Sequence, residues 1–141
     1  KMEKTYLEMC QFKTLKERYD YLKISSMIGI ETFGNERYLN QMFYNSSEWK
    51  EFRRRVSLRD NGCELGLDGY EIVGNIYIHH INPITLEDVL EHRPCVMDMD
   101  NAVCVSLDMH NSIHFGKNFE LLNLDKYNIV GRKPNDTCPW K

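Results

Sequence analysis

Four of the five histidines, His79, His80, His110 and His114, are spaced as metal or proton-transfer chemistry requires. His110 and His114 stand four residues apart. On a helix both imidazoles project from one face, with Cβ atoms roughly 5–6 Å apart, close enough to share one metal ion. His79 and His80 are adjacent and end the β-branched and aromatic run Ile76-Tyr77-Ile78. Successive strand residues point to opposite faces, so this pair suits two tasks, one ring as a ligand and its neighbour as a base. Either pair alone is also what a polar surface carries by chance. Asn101, after Asp98-Met99-Asp100, sits where asparagine commonly makes a local turn hydrogen bond. His92 lies apart in an acidic stretch and reads as surface.

Positioning these groups falls to the surrounding elements. Thr14-Leu15-Lys16-Glu17 has the form of a capping box, and Phe12, Leu15, Tyr19 and Leu22 follow helical spacing, which predicts a scaffold helix. A short helix is expected over 35–44, after Gly29 and Gly34. Ser46-Ser47 caps a third, with Trp49, Phe52 and Val56 as its apolar stripe and Asp60-Asn61-Gly62 as its stop. From Cys63 the turn signals Asp68-Gly69 and Gly74-Asn75 predict a hairpin or two irregular strands ending at His79-His80. Thr85-Leu86-Glu87-Asp88 starts another helix, and Pro94 ends that segment. Ala102-Val103-Cys104-Val105 is a short strand, and Ser106 caps a helix through Phe115 with Gly116 just past its end. The expected class is α+β: a helical extension over 1–45, a core over 46–118 and a tail over 119–141 packed on it, together one compact domain.

A length of 141 residues suits one domain, and 42% hydrophobic with 28% charged residues excludes a collagen-like or wholly disordered chain. Apolar runs are too short to span a bilayer, and the first residues lack the apolar core of a signal peptide, so a cytoplasmic protein without a membrane partner is expected. The five scattered cysteines include no CxxC pair, as in chains that keep their thiols reduced. Net charge is −3, without the overall basic excess of many nucleic-acid binders. Charge is nevertheless polarised. Residues 46–62 carry Lys50, Arg53, Arg54, Arg55 and Arg59 against Glu48, Glu51 and Asp60, whereas residues 85–100 carry five acids against Arg93. A local basic stripe can hold a phosphate backbone while acids elsewhere cancel it in the sum; it is equally what a solvated helix face looks like. Arg53, Arg54, Arg55, Arg59 and Lys117 are the candidate phosphate contacts, with Arg132 and Lys133 fainter ones. Met97, Met99 and Met109 read as packing.

Taken together, Ile78-His79-His80-Ile81-Asn82-Pro83, then Asp100-Asn101-Ala102-Val103-Cys104-Val105, then His110-Asn111-Ser112-Ile113-His114 resemble the HNH nuclease motif, a ββα-metal unit. The flanks agree: Glu48-Trp49-Lys50-Glu51-Phe52-Arg53 leading to Arg59-Asp60-Asn61-Gly62-Cys63 resembles the helix and turn that precede the motif in many such proteins. With the ending Asn135-Asp136-Thr137-Cys138-Pro139-Trp140, the chain resembles small bacteriophage HNH endonucleases over most of its length. The resemblance implies a ββα-metal core with added N-terminal helices. It further implies His79, His110 and His114 as ligands of one divalent metal, His80 as the general base, and Asn101 as the residue that orients the base-bearing segment. The implied reaction is metal-dependent hydrolysis of DNA, leaving 5′-phosphate and 3′-hydroxyl ends. A terminase or other phage packaging protein is a partner of the kind that resemblance suggests.

One departure stands out. Many HNH proteins carry two CxxC knuckles on a structural zinc, but here only Cys63 remains, with Gly66, Ser106 and Met109 where further cysteines would stand. No structural zinc held by four cysteines is expected, and packing by Trp49, Phe52, Ile76 and Ile78 takes over its task. The catalytic ion is open among Mg²⁺, Mn²⁺, Zn²⁺ and Ni²⁺: three imidazoles favour the softer ions, whereas the family commonly works with Mg²⁺ or Mn²⁺. A non-catalytic, metal-stabilised nucleic-acid-binding module is the rival reading, and a plain helical interaction protein the third.

Overall fold

Local capping chemistry sets most element boundaries in the computed structural model, which describes residues 3–23, 37–125 and 127, with 37–40 as backbone only. Helix α1 (Tyr6–Met9) starts where the Thr5 side chain accepts the Glu8 N–H. In α2 (Leu15–Lys23) the expected capping box forms, the Thr14 hydroxyl accepting from Glu17 N at 3.2 Å and the Glu17 carboxylate from Thr14 N at 3.3 Å. Phe12 therefore lies before the helix, and the buried stripe is Leu15, Tyr19 and Leu22. Helix α3 (Arg37–Tyr44) leads into α4 (Ser47–Arg59), capped by Ser46, which buries Trp49, Phe52 and Val56. Asn61 and Gly62, at φ 54° and 64°, turn the chain out of α4. Gly29 and Gly34 lie outside the described residues, as do Arg132, Lys133 and the tail from 128 onward.

Strand β1 (Tyr77–His80) has no local hairpin partner; residues 63–76 are turns with one isolated bridge, Cys63 to Glu71. It pairs instead with β2 (Ala102–Val105), antiparallel, with His79 opposite Val103 and His80 opposite Ala102. The intervening stretch carries α5 (Leu86–Leu90), whose capping box joins Thr85 and Asp88. Pro94 does not end that helix. Glu91 and the left-handed His92 do, and Pro94 opens a 3-10 turn over Pro94–Met97. A second such turn, Met99–Asn101, delivers the chain to β2. Helix α6 (Leu107–Phe115) is capped by Ser106 and closed by Gly116 at φ 66°.

Two strands make a sheet that is at best marginal alone, and among the described residues one edge of β2 has no strand beside it. That edge is covered by the end of α4 and the turn after it. Arg59 donates to Ala102 O at 2.7 Å, Asp60 accepts from Cys104 N at 3.1 Å, and Glu64 accepts from Ser106 N at 2.6 Å. Asp60 also accepts from the Tyr6 hydroxyl and from Arg59, and Glu64 from the Ser106 and Tyr127 hydroxyls. Both carboxylates are buried. Around the same edge Gly66 packs on Asp60 and Tyr6, Ser106 caps α6, and Cys63 and Met109 are buried.

Apolar packing surrounds the sheet on both faces. Leu15, Tyr19, Leu22, Leu65, Ile81, Val103, Val105, Met109, Ile113 and Tyr127 form one cluster. Trp49, Phe52, Val56, Ala102 and Cys104 form the other, with Ile76, Ile78, Met97 and Met99 against it. The alternation of β2 explains the split, since Val103 and Val105 face one way and Ala102 and Cys104 the other. The architecture is a mixture of helices with a small antiparallel sheet, as the α+β expectation has it. No helix among the described residues is long and apolar enough to cross a membrane.

Removing the Asp60 carboxylate strands Cys104 N and the Arg59 guanidinium inside the fold. Asp60→Ala is expected to lower stability by about 3 kcal/mol in urea unfolding. A cost below about 1 kcal/mol would show that this edge does not depend on the carboxylate.

Candidate metal centre

The β1 and β2 register and the cap of α6 bring three imidazoles to one point. His79 leaves β1 on the face toward α6, which packs on both strands. His110 and His114 leave α6 one turn apart and meet it. Their candidate ligand atoms, one from each residue, all lie within 4.8 Å of one another. Ring centroids are 5.7 Å apart for His79 and His110, 5.5 Å for His79 and His114, and 4.4 Å for His110 and His114. The two helix rings approach through their Nε2 atoms at 3.2 Å. Two nitrogens bound tetrahedrally at about 2.0–2.1 Å from one zinc-sized ion stand roughly 3.3 Å apart, so this pair is already at ligand spacing. His79 is buried, His110 intermediate and His114 exposed, which leaves the cluster open on the α6 side.

The electrostatics suit a cation. Desolvation, followed by the positive charge its two neighbours would carry, pushes the His79 pKa well below the ordinary histidine value. Desolvation and then His114 bring that of His110 down to about 4, and desolvation lowers that of His114. All three rings are thus neutral near pH 7, the form in which imidazole ligates a metal. The residues fit a divalent ion by type, spacing and protonation.

His80 points to the opposite face and is held by different partners. Its Nε2 lies 2.8 Å from Val96 O. A carbonyl can only accept, so Nε2 carries the proton and Nδ1 keeps its lone pair. The Trp49 ring backs the imidazole at 5.6 Å with a 33° tilt. Desolvation lowers the His80 pKa, opposed by the Val96 carbonyl and by the charge of Asp88.

Asn101 is buried, and its amide reaches well beyond a local turn. Oδ1 accepts from Asn82 N at 2.8 Å, and Nδ2 donates to Asn82 O at 3.3 Å and Cys95 O at 2.9 Å. It therefore ties the loop leaving His80 to the 3-10 turn whose next carbonyl, Val96 O, holds the His80 ring. Sequence reading misses Val96, because a backbone carbonyl leaves no signature, and it takes Trp49 as core alone.

The arginines divide. Arg53, Arg54 and Arg55 are exposed, Arg54 in a bidentate pair with Glu51 and Arg53 donating to Ile76 O at 3.2 Å. Arg59 instead turns inward, bonded to Asp60, Met99 O and Ala102 O, with its guanidinium 3.4 Å from the Tyr6 ring centroid. Lys117 is exposed just past α6. His92 is exposed and lies away from the cluster, beside an apolar groove with Met42, Phe43 and Leu90.

No family model, curated protein or solved structure matches the chain.

Titration with Co²⁺ is expected to give one ion per chain, and His110→Ala to weaken binding by about 100-fold or more. Equal binding by the variant would remove His110 from the centre. A second expectation concerns pH. The unfolded chain takes up protons near pH 6.5 that folded His110 accepts only near pH 4. The associated stability is therefore complete above pH 6.5 and lost as pH falls through about 4. Urea midpoints of metal-free protein should drop more between about pH 7.5 and 4.5 for wild type than for His110→Asn, and equal drops would contradict the linkage.

Proposed function

We propose that this protein is a metal-dependent DNA endonuclease built on a ββα-metal core of the HNH type. One observation carries the reading: three neutral imidazoles converge with candidate ligand atoms within 4.8 Å of one another, two of them at ligand spacing, and the next residue along β1 is a histidine with a fixed tautomer and an unprotonated Nδ1. A helix and two antiparallel strands support it, being the elements on which such a unit is built.

His79, His110 and His114 would hold the ion. When bound, it would supply positive charge to the phosphodiester and to the leaving 3′ oxygen. Three protein ligands leave room for substrate, as a catalytic rather than a purely structural centre requires. His80 takes the proton from the attacking water at Nδ1, and its Nε2–H stays on Val96 O throughout, so the ring does not turn as charge develops. Burial keeps the ring neutral beforehand, and the Val96 carbonyl stabilises the imidazolium afterwards. Asn101 keeps that carbonyl and the loop after His80 in register. Arg53, Arg55 and Lys117 are exposed and remain the candidate phosphate contacts, Arg54 is paired with Glu51, and Arg59 is committed to the fold. The ion set stays that of the sequence reading, Mg²⁺, Mn²⁺, Zn²⁺ or Ni²⁺, and a phage packaging protein such as terminase is the partner this reading suggests.

The test is conversion of supercoiled plasmid to nicked and linear forms in EDTA, Mg²⁺, Mn²⁺, Zn²⁺ and Ni²⁺, with wild type beside His80→Ala. Cleavage that needs an ion and falls by about 100-fold or more in the variant, with Co²⁺ affinity within about threefold of wild type, is expected. Folded, DNA-bound protein that cuts with none of these ions would favour the binding-module reading instead.

A further inference from the structure

Asn82 has no part in the chemistry above, yet its side chain is among the most fully engaged polar groups near the site. Oδ1 accepts from Lys4 N at 3.1 Å, while Nδ2 donates to Lys4 O at 2.7 Å and to Asn101 Oδ1 at 2.8 Å. The contact with Lys4 is two-point: one donor and one acceptor meet the N–H and C=O of a single residue, as a neighbouring strand would. Only a primary amide does this here. A carboxylate accepts but cannot donate, and an alanine does neither.

These bonds lead to the stretch of backbone that holds the His80 ring. From the Lys4 backbone they run through the Asn82 amide to the Asn101 amide, then to Cys95 O, and the adjoining Val96 O receives His80 Nε2–H. The far end is itself anchored. Leu7 N donates to Asp100 Oδ1 at 3.0 Å, Thr5 N to the Tyr21 hydroxyl at 3.1 Å, and Lys4 Nζ to Tyr21 O at 2.8 Å. The N-terminal segment thus brackets the turn before β2 at Asp100 and the loop after β1 at Asn82. Its residues read as scaffold in sequence, but they grip the loop that leaves His80 and the turn that carries Asn101.

We propose that Asn82 is a positioning residue for His80, and that through its amide the segment Lys4–Leu7 forms part of the apparatus that fixes the His80 ring. The kinetic consequence rests on the nuclease reading, whereas the effect on the ring does not. The metal ligands stand outside this path, since His79 is set by strand pairing and His110 and His114 by α6. Loosening the amide should therefore disturb His80 and spare metal affinity, a split that general destabilisation would not produce.

The experiment uses the full chain as wild type, Asn82→Ala and Asn82→Asp, assayed below the melting temperature of each. The first readout is the tautomer of His80 from imidazole ¹⁵N shifts in metal-free protein at about pH 7.5, where the ring is neutral. Wild type should show protonated Nε2 alone, and the variants a mixture. The second is plasmid cleavage beside Co²⁺ affinity, where kcat should fall about 10- to 100-fold with Kd within about threefold. Should Asn82→Ala fail to fold, Asn82→Asp, which keeps the shape and one acceptor, decides alone. An unchanged His80 tautomer in a folded variant overturns the proposal, as does wild-type cleavage by it. A disturbed tautomer in proteins that never cut DNA would uphold the positioning role and sink the nuclease reading, so the two failures are distinguishable.

Discussion

The outer edge of β2 is the constraint on which the rest of the structure depends. A strand buried on both faces, with all four of its residues inaccessible, cannot leave its outward backbone groups unpaired, because each would cost about 1–3 kcal/mol. A third strand would be the common solution. Here three side chains take that place, Arg59 on Ala102 O, Asp60 on Cys104 N and Glu64 on Ser106 N. Burying two carboxylates is itself unfavourable, and the compensation is the number of donors each one meets. Asp60 receives bonds from Tyr6, Arg59 and Cys104, and Glu64 from Ser106 twice and from Tyr127. With that edge closed, β1 can pair on the other side and α6 can start at a fixed point, since Ser106 both caps α6 and binds Glu64.

From that fixed point the histidine centre follows by geometry. A one-residue slip of β1 against β2 would put His80 where His79 is and turn the ligand away from α6. The slip is opposed by burial: Ile76 and Ile78 pack on the Trp49 and Phe52 side, and the chain continues into fully buried Ile81 on the other. Neutral rings also keep the cost of assembling the centre low. Three imidazoles without a carboxylate among them carry no net charge at neutral pH, so their approach in a partly buried site meets little repulsion until protons are added.

How much of this is legible in the sequence depends on how local the responsible interaction is. The capping box at Thr14, the helix start at Thr85, the caps at Ser46 and Ser106, and the helix-ending Gly116 involve residues within four positions of one another, and all form as the sequence predicts. The bounds of β2 and the pairing of His110 with His114 on one helix face are legible for the same reason. The partner of β1 is not, because strand pairing across a long insertion leaves no trace in either strand. Asp60 looks like a helix stop and is one, but its carboxylate also serves residue 104. Arg59 looks like its neighbours Arg53 to Arg55; rotation along α4 carries it to the buried side, where the Tyr6 ring and two carbonyls receive it. Asn101 stands out in the sequence, but a local turn hydrogen bond is too small a description of an amide that joins three segments.

The acidic insertion illustrates how a charge pattern differs from a charge effect. Its five acids stand out as a negative block opposite the arginine run, a poor neighbour for a phosphodiester. In the fold they are mostly structural. Asp88 closes the α5 capping box and pairs with Arg93, Glu87 and Glu91 pair with the same guanidinium, Asp98 caps the next turn, and Asp100 receives Leu7 N. What the insertion presents to the site at hydrogen-bond distance is two successive carbonyls, Cys95 O and Val96 O, aimed at Asn101 and His80, with the charge of Asp88 a lesser influence on the same ring. Exposed charges are screened over about 8 Å in physiological salt, whereas a carbonyl at hydrogen-bond distance inside the fold is not. The segment that looks most hostile to an anionic substrate therefore acts on the site mainly through its backbone, and its acids serve to fold that backbone into place.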